Sequence, residues 1–484
     1  MKTKKSILAL LLTGLLIQPL AASANSTNLN LPEIGTAAVS TLSIGQEIEM
    51  GDYYLRMLRG SAPLTYDPLI SEYVNKLGGK LVASADSVQT PFNFFVMRSN
   101  VLNAFAFFGG NVVIHSRLIL DTDNESQLAS VMAHEISHVT QRHLARAMEA
   151  QKNNSPYVWG AALGSVLLAL ASPEAGMAAM STTIAGSQQS MISFTQSNEQ
   201  EADRAGMRIL TRAGFDPQAS PEFLQKLADQ ARFMSKPPEI LLTHPLPDSR
   251  LSDVRNRANQ FAQKSVASSL DYYLVKARIA AFSNDKSAID RILDEYKKTN
   301  NAQIAKAIIY GEALSLYTKQ QYQSARSKLE PLYNQDSTNI WYVDLMTDLD
   351  LELNQKTQAI ERLQAAIKAN PSSQVLQLNL ANAYIQNKDY QRASSLLHRY
   401  THANNSDING WELLATVYSA QRLRAEEMSA RAEVLALQGQ FAQAINLLTN
   451  AKSYTKDNQI LLARLDARAA QLQQLQQRYA TYQR

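Results

Sequence analysis

The 484-residue sequence predicts a mainly α fold in two parts: a helical domain with a small β-sheet, then an α-helical solenoid. Three observations carry this reading. Apolar residues recur at helical spacing through most of the chain. Three short segments rich in aromatic and β-branched residues lie together between positions 92 and 115. In the second half an alanine returns every 34 residues, at Ala325, Ala359 and Ala393, which is the period of the tetratricopeptide (TPR) repeat.

With 45% hydrophobic and 19% charged residues, the chain has the makeup of a globular protein with a core. Its net charge of +4 is weak and diffuse, with no basic patch interleaved with aromatics, so nucleic acid is not an expected partner. The N-terminus has the parts of a signal peptide over 1–24. Lys2, Lys4 and Lys5 are its positive region, Ile7 to Ile17 its apolar core, and Ala22-Ser23-Ala24 its small-x-small cleavage site. That core is short for a membrane span of ~20 residues. There is no cysteine, which excludes a disulfide framework and a lipid-bearing Cys after the signal. The expected address is the periplasm, with the signal cleaved near Ala24.

The first domain is expected over 25–262. Ile44 to Leu58 reads as a helix with Ile48, Tyr54 and Leu55 on its inner face. Asp67-Pro68 starts a second, with Leu69, Tyr73, Val74, Leu77 and Leu81 at helical spacing. Strands follow at Phe92–Met97, Asn103–Phe108 and Asn111–His115, with Gly109-Gly110 as a turn. These strands are either an ordinary small sheet or a sheet whose edge also pairs with an extended peptide.

Thr122 and Glu125 have capping-box spacing and precede an apolar helical run, Leu128, Val131, Met132, Ile136 and Val139. Inside it lies His134-Glu135-Ile136-Ser137-His138. Positions i and i+4 share one helix face, so both imidazoles can meet one ion. Glu135 stands beside the first of them. Two His ligands, an open metal position and a carboxylate base are the zinc-peptidase arrangement. The metzincin pattern is excluded, because position 144 is Leu and position 141 is Gln. His143 then reads as a surface or packing residue. Beyond the polar Gln151 to Ser155, the apolar stretch 157–171 is a buried helix, a lid, or a segment making peripheral membrane contact, and 176–190 is small and polar.

Glu199 and Asp203 are also i and i+4, on a helix capped by Ser197 or Asn198 and stopped by Gly214. A third ligand and a carboxylate behind a ligand His can both come from here. His244 sits on a loop stiffened by Pro245 and Pro247. It either occupies the open metal position and silences the site, stabilises the transition state, or packs.

Together, His134-Glu135-x-x-His138, Glu199-Gln200-Glu201-Ala202-Asp203 and His244-Pro245-Leu246-Pro247-Asp248-Ser249-Arg250 resemble the zinc metallopeptidases related to HtpX and the CAAX prenyl proteases. The resemblance spans about 40–260. It implies that His134, His138 and Glu199 ligate one Zn2+ and that Glu135 is the base. It implies that Asp203 orients a ligand His, that His244 lies near the metal, and that Arg250 pairs with an acidic neighbour. Asn103, Ala104, Phe105 and Ala106 would be the substrate-side strand. A soluble periplasmic branch is implied by the lack of long spanning helices. With it come cleavage of unfolded or misassembled outer-membrane proteins, assistance to their folding, and contact with the β-barrel assembly machinery through the TPR domain.

The second domain, expected over 268–484, is helix after helix. Leu329, Leu363, Leu397 and Leu448 each follow a repeat alanine by four, on the same face. Ala393 to Ala444 is 51, one repeat and a half. Such helix pairs stack because none buries its apolar face alone, and the stack leaves a concave groove for a partner. Asp457 to Arg484 reads as a helix that caps the array or folds back on the first domain. Two functions remain open at this stage: an endopeptidase, or a chaperone and scaffold that binds through the array with a capped or vestigial zinc site. Replacing Glu135 by Gln separates them.

Overall fold

Helix α1 (Ile44–Ser61) begins on a capping box in which Ser43 and Gln46 satisfy each other's backbone N–H. The structure is a computed structural model describing residues 42–150, 196–233, 237–262, 264–299, 301–455 and 457–482. The expected signal peptide, the apolar stretch 157–171 and the run 176–190 lie outside the described residues. Tyr54 and Leu55 of α1 are buried as expected, but Ile48 is exposed. The inward position is taken by Glu47, whose carboxylate meets buried Arg142 at 3.0 Å.

Helix α2 (Pro68–Val82) is capped by Asp67 and buries all five predicted apolar positions. Strands β1 (Asn93–Met97), β2 (Ala104–Phe107) and β3 (Asn111–His115) form one sheet in the order β1-β3-β2, with β1 parallel and β2 antiparallel to β3. Central β3 is wholly buried, while β2 is an outer edge. Gly109 and Gly110 turn the chain at φ 75° and 72°, a region open to glycine at no steric cost.

After α3 (Ser116–Asp121) comes α4 (Glu125–Thr140), which carries the His-Glu-x-x-His motif against β2. The predicted Thr122–Glu125 capping box does not form. Asn124 caps the helix through Gln127 N. Thr122 and Glu125 have other partners: the Tyr272 hydroxyl of the array for the first, and Ser269 of the array and Tyr73 of α2 for the second. Helices α5 (His143–Ala150), α6 (Gln196–Arg212), α7 (Ala219–Phe233), α8 (Glu239–Thr243) and α9 (Asp248–Ala258) complete this part.

The array is α10 (Leu270–Ala281), α11 (Ala288–Tyr296), α12 (Ala302–Thr318), α13 (Tyr322–Gln335), α14 (Ile340–Glu352), α15 (Lys356–Ala369), α16 (Gln374–Gln386), α17 (Tyr390–Ala403), α18 (Ile408–Ala420), α19 (Arg424–Leu437), α20 (Phe441–Ala451) and α21 (Gln459–Tyr479). The 34-residue rhythm is written in the backbone. Gln320, Asn354, Lys388 and Arg422 turn successive hairpins at φ 60°, 59°, 59° and 60°. Gly439 repeats the turn half a period on, at φ 74°. The repeat alanines and the leucines four residues after them are all fully buried. In the α18–α19 hairpin the period places Glu427 where alanine is expected, and Arg424 and Arg431 pair with it at 2.8 and 2.9 Å.

Both ends of the array rest on the first part. Near its start, Arg278 of α10 bridges Asp67 at 2.6 Å and Asp344 at 2.8 Å. Near its end, Arg56 donates to the Ala436 carbonyl at 2.7 Å. A Cβ on Gly60 would lie 2.5 Å from the Gln438 carbonyl oxygen, so the approach of α1 to α19 needs glycine. Helix α21 buries Leu461, Leu465, Leu472 and Tyr479, and it folds back: Tyr479 stacks edge-on to Tyr53 of α1 at 5.4 Å and its hydroxyl bonds Asp52. Among the described residues no helix is long and apolar enough to cross a membrane.

Candidate metal centre

Two helices cross to build the centre. Gly206 of α6 lets them approach, since a Cβ there would lie 3.2 Å from the His134 backbone nitrogen on α4. One turn apart on α4, His134 and His138 bring their Nε2 atoms within 2.9 Å of each other. Glu199 of α6 faces both, its oxygens 3.4 Å from His134 Nε2 and 3.5 Å from His138 Nε2. His244, the C-cap of the short α8, completes a buried group of four whose ligand atoms all lie within 4.8 Å of one another.

Behind these donors stands a second layer. Asp203 accepts from His134 Nδ1 at 2.9 Å, which leaves Nε2 with its lone pair toward the centre. Arg250 grips both Asp203 oxygens, at 2.6 and 2.9 Å, and meets Glu199 at 2.6 Å. Burial alone would raise the Glu199 and Asp203 carboxyls. The facing His244 and His134, and for Asp203 the Arg250 fork, pull both below the usual range instead. Burial likewise disfavours protonation of His134, but its hydrogen bonds to Asp203 and Glu199 prevail and hold its pKa up at about 10. The surrounding carboxylates thus favour positive charge at the centre.

This donor set fits a divalent cation. With the imidazoles counted as neutral ligands, Glu135, Glu199 and Asp203 face one guanidinium, leaving two negative charges in excess. Both Glu135 oxygens are buried without a hydrogen-bond partner among the described residues, and His244 Nε2 lies 3.6 Å from one of them. A buried carboxylate left so bare is costly unless a cation or a polar ligand meets it.

Residues 68–258 match peptidase family M48, and residues 350–417 match a tetratricopeptide repeat. The β-barrel assembly-enhancing protease of Yersinia pestis is 55% identical over 484 residues, covering 98% of each chain. That of Escherichia coli K12 is 55% identical over 483 residues, covering 99% of this chain and 98% of its own. The chain belongs to the β-barrel assembly-enhancing protease family. It is a metallopeptidase that carries a TPR array. A more distant likeness is the mitochondrial metalloendopeptidase OMA1 of Schizosaccharomyces pombe, 24% identical over 212 residues, 42% of this chain and 56% of that one.

In this family member the structure brings together every residue singled out at the centre: His134, Glu135, His138, Glu199, Asp203, His244 and Arg250. Asn103, Ala104, Phe105 and Ala106 lie at or in edge strand β2, beside α4. His143 is a correction. It is fully buried, and its Nδ1 lies 2.8 Å from His138 Nδ1. Its Nε2 reaches Glu201 at 3.3 Å, and Arg146 holds Glu201 at 2.8 Å. Burial, ahead of the opposing pull of Glu201, brings the His143 pKa down to about 4, so the ring is neutral. With its proton on Nε2, it accepts from His138 Nδ1–H and turns the His138 Nε2 lone pair toward the centre. The turn that allows this is Arg142, a non-glycine residue at φ 53°. No Gly or Pro signals that break, so helical periodicity alone points His143 elsewhere. Glu201 was hidden in the same way inside an acidic run.

Proposed function

We propose that the chain is a periplasmic zinc endopeptidase, exported by a signal peptide removed near Ala24, with a protease domain over 25–262 and a TPR domain over 268–484. One Zn2+ per chain would be held by His134, His138 and Glu199, a histidine and carboxylate set typical of catalytic zinc with an open position. When bound, zinc supplies Lewis acidity, which acidifies water toward neutrality and polarises a carbonyl. Glu135 takes the proton from the attacking water and passes it to the leaving amine. Its bare, buried carboxylate supports that role. Asp203 and His143 orient the two imidazoles, and Arg250 holds both α6 carboxylates in place.

The substrate backbone would add to β2. Asn103 O accepts from His115 N, so by antiparallel alternation Phe105 and Phe107 also face β3, while the backbone groups of Ala104 and Ala106 turn outward, the Ala104 N–H donating to Asn103 Oδ1 at 2.9 Å. His244 would gate the centre. It sits between Glu199 at 3.0 Å and Glu135 at 3.6 Å, in the space a water would need. Helix α8 is tied to the start of this edge through Ile240 N and the Leu102 carbonyl, 3.3 Å apart, so gate and strand would move together. The substrates would be unfolded or misassembled outer-membrane proteins, and the array would dock on the β-barrel assembly machinery. The names of the relatives support this, as does the helical array.

The convergence of four donor groups beside the bare Glu135 carries the proposal. Purified protein, Glu135→Gln and His244→Ala would be assayed for bound zinc and for cleavage of an unfolded outer-membrane protein. We expect about one zinc per chain, no cleavage by Glu135→Gln, and faster cleavage by His244→Ala. Chaperone-like holding by the array needs no chemistry and should survive in Glu135→Gln. Cleavage by Glu135→Gln at the wild-type rate would remove the assigned base. A His244→Ala variant no faster than wild type would remove the gate.

A further inference from the structure

The tie from His143 to His138 depends on a break after the helix that carries the motif. Helix α4 ends at Thr140 and α5 begins at His143. In an unbroken helix a residue five places on stands about 140° round the axis, so His143 would face away from His138. Arg142 makes the break, at φ 53°. Its N–H donates to the Val139 carbonyl at 2.9 Å and its own carbonyl accepts from Arg146 N at 2.9 Å, so one residue closes α4 and opens α5. A left-handed backbone suits glycine and is disfavoured for a side chain with a Cβ. Arginine at this turn therefore calls for something that holds it there.

The hold comes from α1. One Glu47 oxygen accepts from Arg142 Nε at 3.1 Å and from Nη2 at 3.0 Å, and the Leu42 carbonyl accepts from the same Nη2 at 2.5 Å. Both charged side chains are at most 8% exposed. Taking two charges out of water offsets most of their attraction, so the pair adds little net stability. What a guanidinium gripping a carboxylate through two N–H groups does add is direction. Glu47 is itself fixed, because α1 is seated without slack. A Cβ on Gly51 would lie 2.2 Å from the Phe108 carbonyl oxygen, and Asn111 Nδ2 donates to that same oxygen at 2.8 Å. The pair also lies close to the centre: Glu47, Arg142 and His138 line one small cavity of ≈ 20 Å³ beside the end of β2.

We propose that Glu47 is a positioning residue for the metal centre: through Arg142 it holds the left-handed turn that sets His143 against His138, and so fixes the tautomer and direction of a ligand imidazole. The proposal rests on the reading of His138 as a metal ligand. Helix α1 supplies none of the four donor groups, so it acts at one remove. Glu47 and Arg142 are 95 positions apart, which is why no local motif announces the relay. The alternative is that α5 is held without Glu47, by the buried Ala145 and Met148 that share a core with Phe105 and Phe107 and by the Arg146–Glu201 pair. Glu47 would then only neutralise Arg142.

The test uses the full chain, stripped of metal and titrated with Co2+ against a competing chelator. Its readouts are Co2+ affinity, the visible absorption of bound Co2+, hydrogen exchange of α5 in the metal-free protein, and the thermal unfolding midpoint. We expect Glu47→Ala to bind Co2+ ~10-fold more weakly, with altered absorption and faster α5 exchange. Glu47→Gln, whose amide oxygen still accepts from Arg142, should lose less. Combining Glu47→Ala with Arg142→Gly should restore most of the affinity, because glycine takes φ 53° unaided and no guanidinium is left stranded, while the midpoint stays below wild type. Affinity regained without stability is what a purely structural pair would not give. A Glu47→Ala protein with wild-type affinity and α5 exchange, or a double variant as weak as Glu47→Ala, would overturn the proposal. Should Glu47→Ala fail to fold, Glu47→Gln and the double variant decide on the same terms. A wild-type chain that takes up no Co2+ would instead remove the metal reading, and the α5 exchange would still decide whether Glu47 holds the turn.

Discussion

Replacing Arg250 by methionine should cost the metal-free protein about 3–5 kcal/mol, the usual penalty for removing one partner of a buried ion pair. Methionine keeps an apolar stem and deletes the guanidinium. In the native fold that group makes a fork on Asp203 (2.6 and 2.9 Å), a 2.6 Å contact to Glu199, and bonds to the carbonyls of His244 (3.3 Å) and Pro245 (3.0 Å). All three charged side chains are at most 5% exposed, so solvent cannot replace what is lost. Asp203 would then hold His134 less firmly, and metal affinity should fall about 10–100-fold, as for other outer-shell partners. Guanidinium denaturation of the metal-free protein measures the first effect, and chelator competition the second. Adding Asp203→Asn to Arg250→Met removes one of the two stranded charges and should restore part of the stability. An Arg250→Met protein within 1 kcal/mol of wild type, with unchanged metal affinity, would refute the charge balance argued for this centre.

His143→Phe keeps a ring but breaks the link from His138 to Glu201, so metal affinity should drop roughly 10-fold or more; unchanged affinity in a chelator titration would reduce His143 to packing. His115 is buried, with Nδ1 on the Val101 carbonyl at 3.1 Å and Nε2 unpartnered among the described residues. Burial brings its pKa down to about 4 from 6.5. The unfolded chain therefore binds the extra proton first, and stability due to His115 is full above pH 6.5 and is lost as pH falls toward 4. The window amounts to about 3 kcal/mol. His115→Phe should flatten that part of the acid limb in denaturation curves taken from pH 7 to 4. Gly60→Ala puts a methyl group against the Gln438 backbone carbonyl, and hydrogen exchange in α19 and α20 should quicken while that in α4 does not. Equal exchange in both would show that α1 and the array do not lean on each other there.

What could be read from the sequence follows from which interactions are local. Helical periodicity placed α2 and five of its inner residues, because a stripe of Leu, Tyr and Val can be buried in one way only; Ile70 and Gly78 are buried beside them. The pairings His134–His138 and Glu199–Asp203 were legible for the same reason, as each is one turn of a helix. Two misses came from partners distant in sequence and one from an unsignalled local turn. Ile48 lost its inward place to Glu47 because Arg142, far along the chain, is buried opposite. Thr122 and Glu125 gave up a local cap for Tyr272 and Ser269, which only the docking of α10 supplies. His143 reached His138 through an αL turn at an arginine, a conformation no composition rule anticipates.

The same division explains the array. Three alanines 34 apart declare the repeat, yet the fourth hairpin keeps the backbone period with Glu427 in the alanine position. The period survives there because the turn at Arg422 and the buried Ala425, Met428 and Ala432 set the packing, while Arg424 and Arg431 neutralise the carboxylate at the rim. A repeat read from residue identity thus skips this hairpin and resumes at Ala444, whereas the backbone carries the period through it to the helix that leans on α1. The last full hairpin is therefore specialised for contact with the protease part, and its departure from the repeat signature marks where the array stops being uniform and becomes an interface.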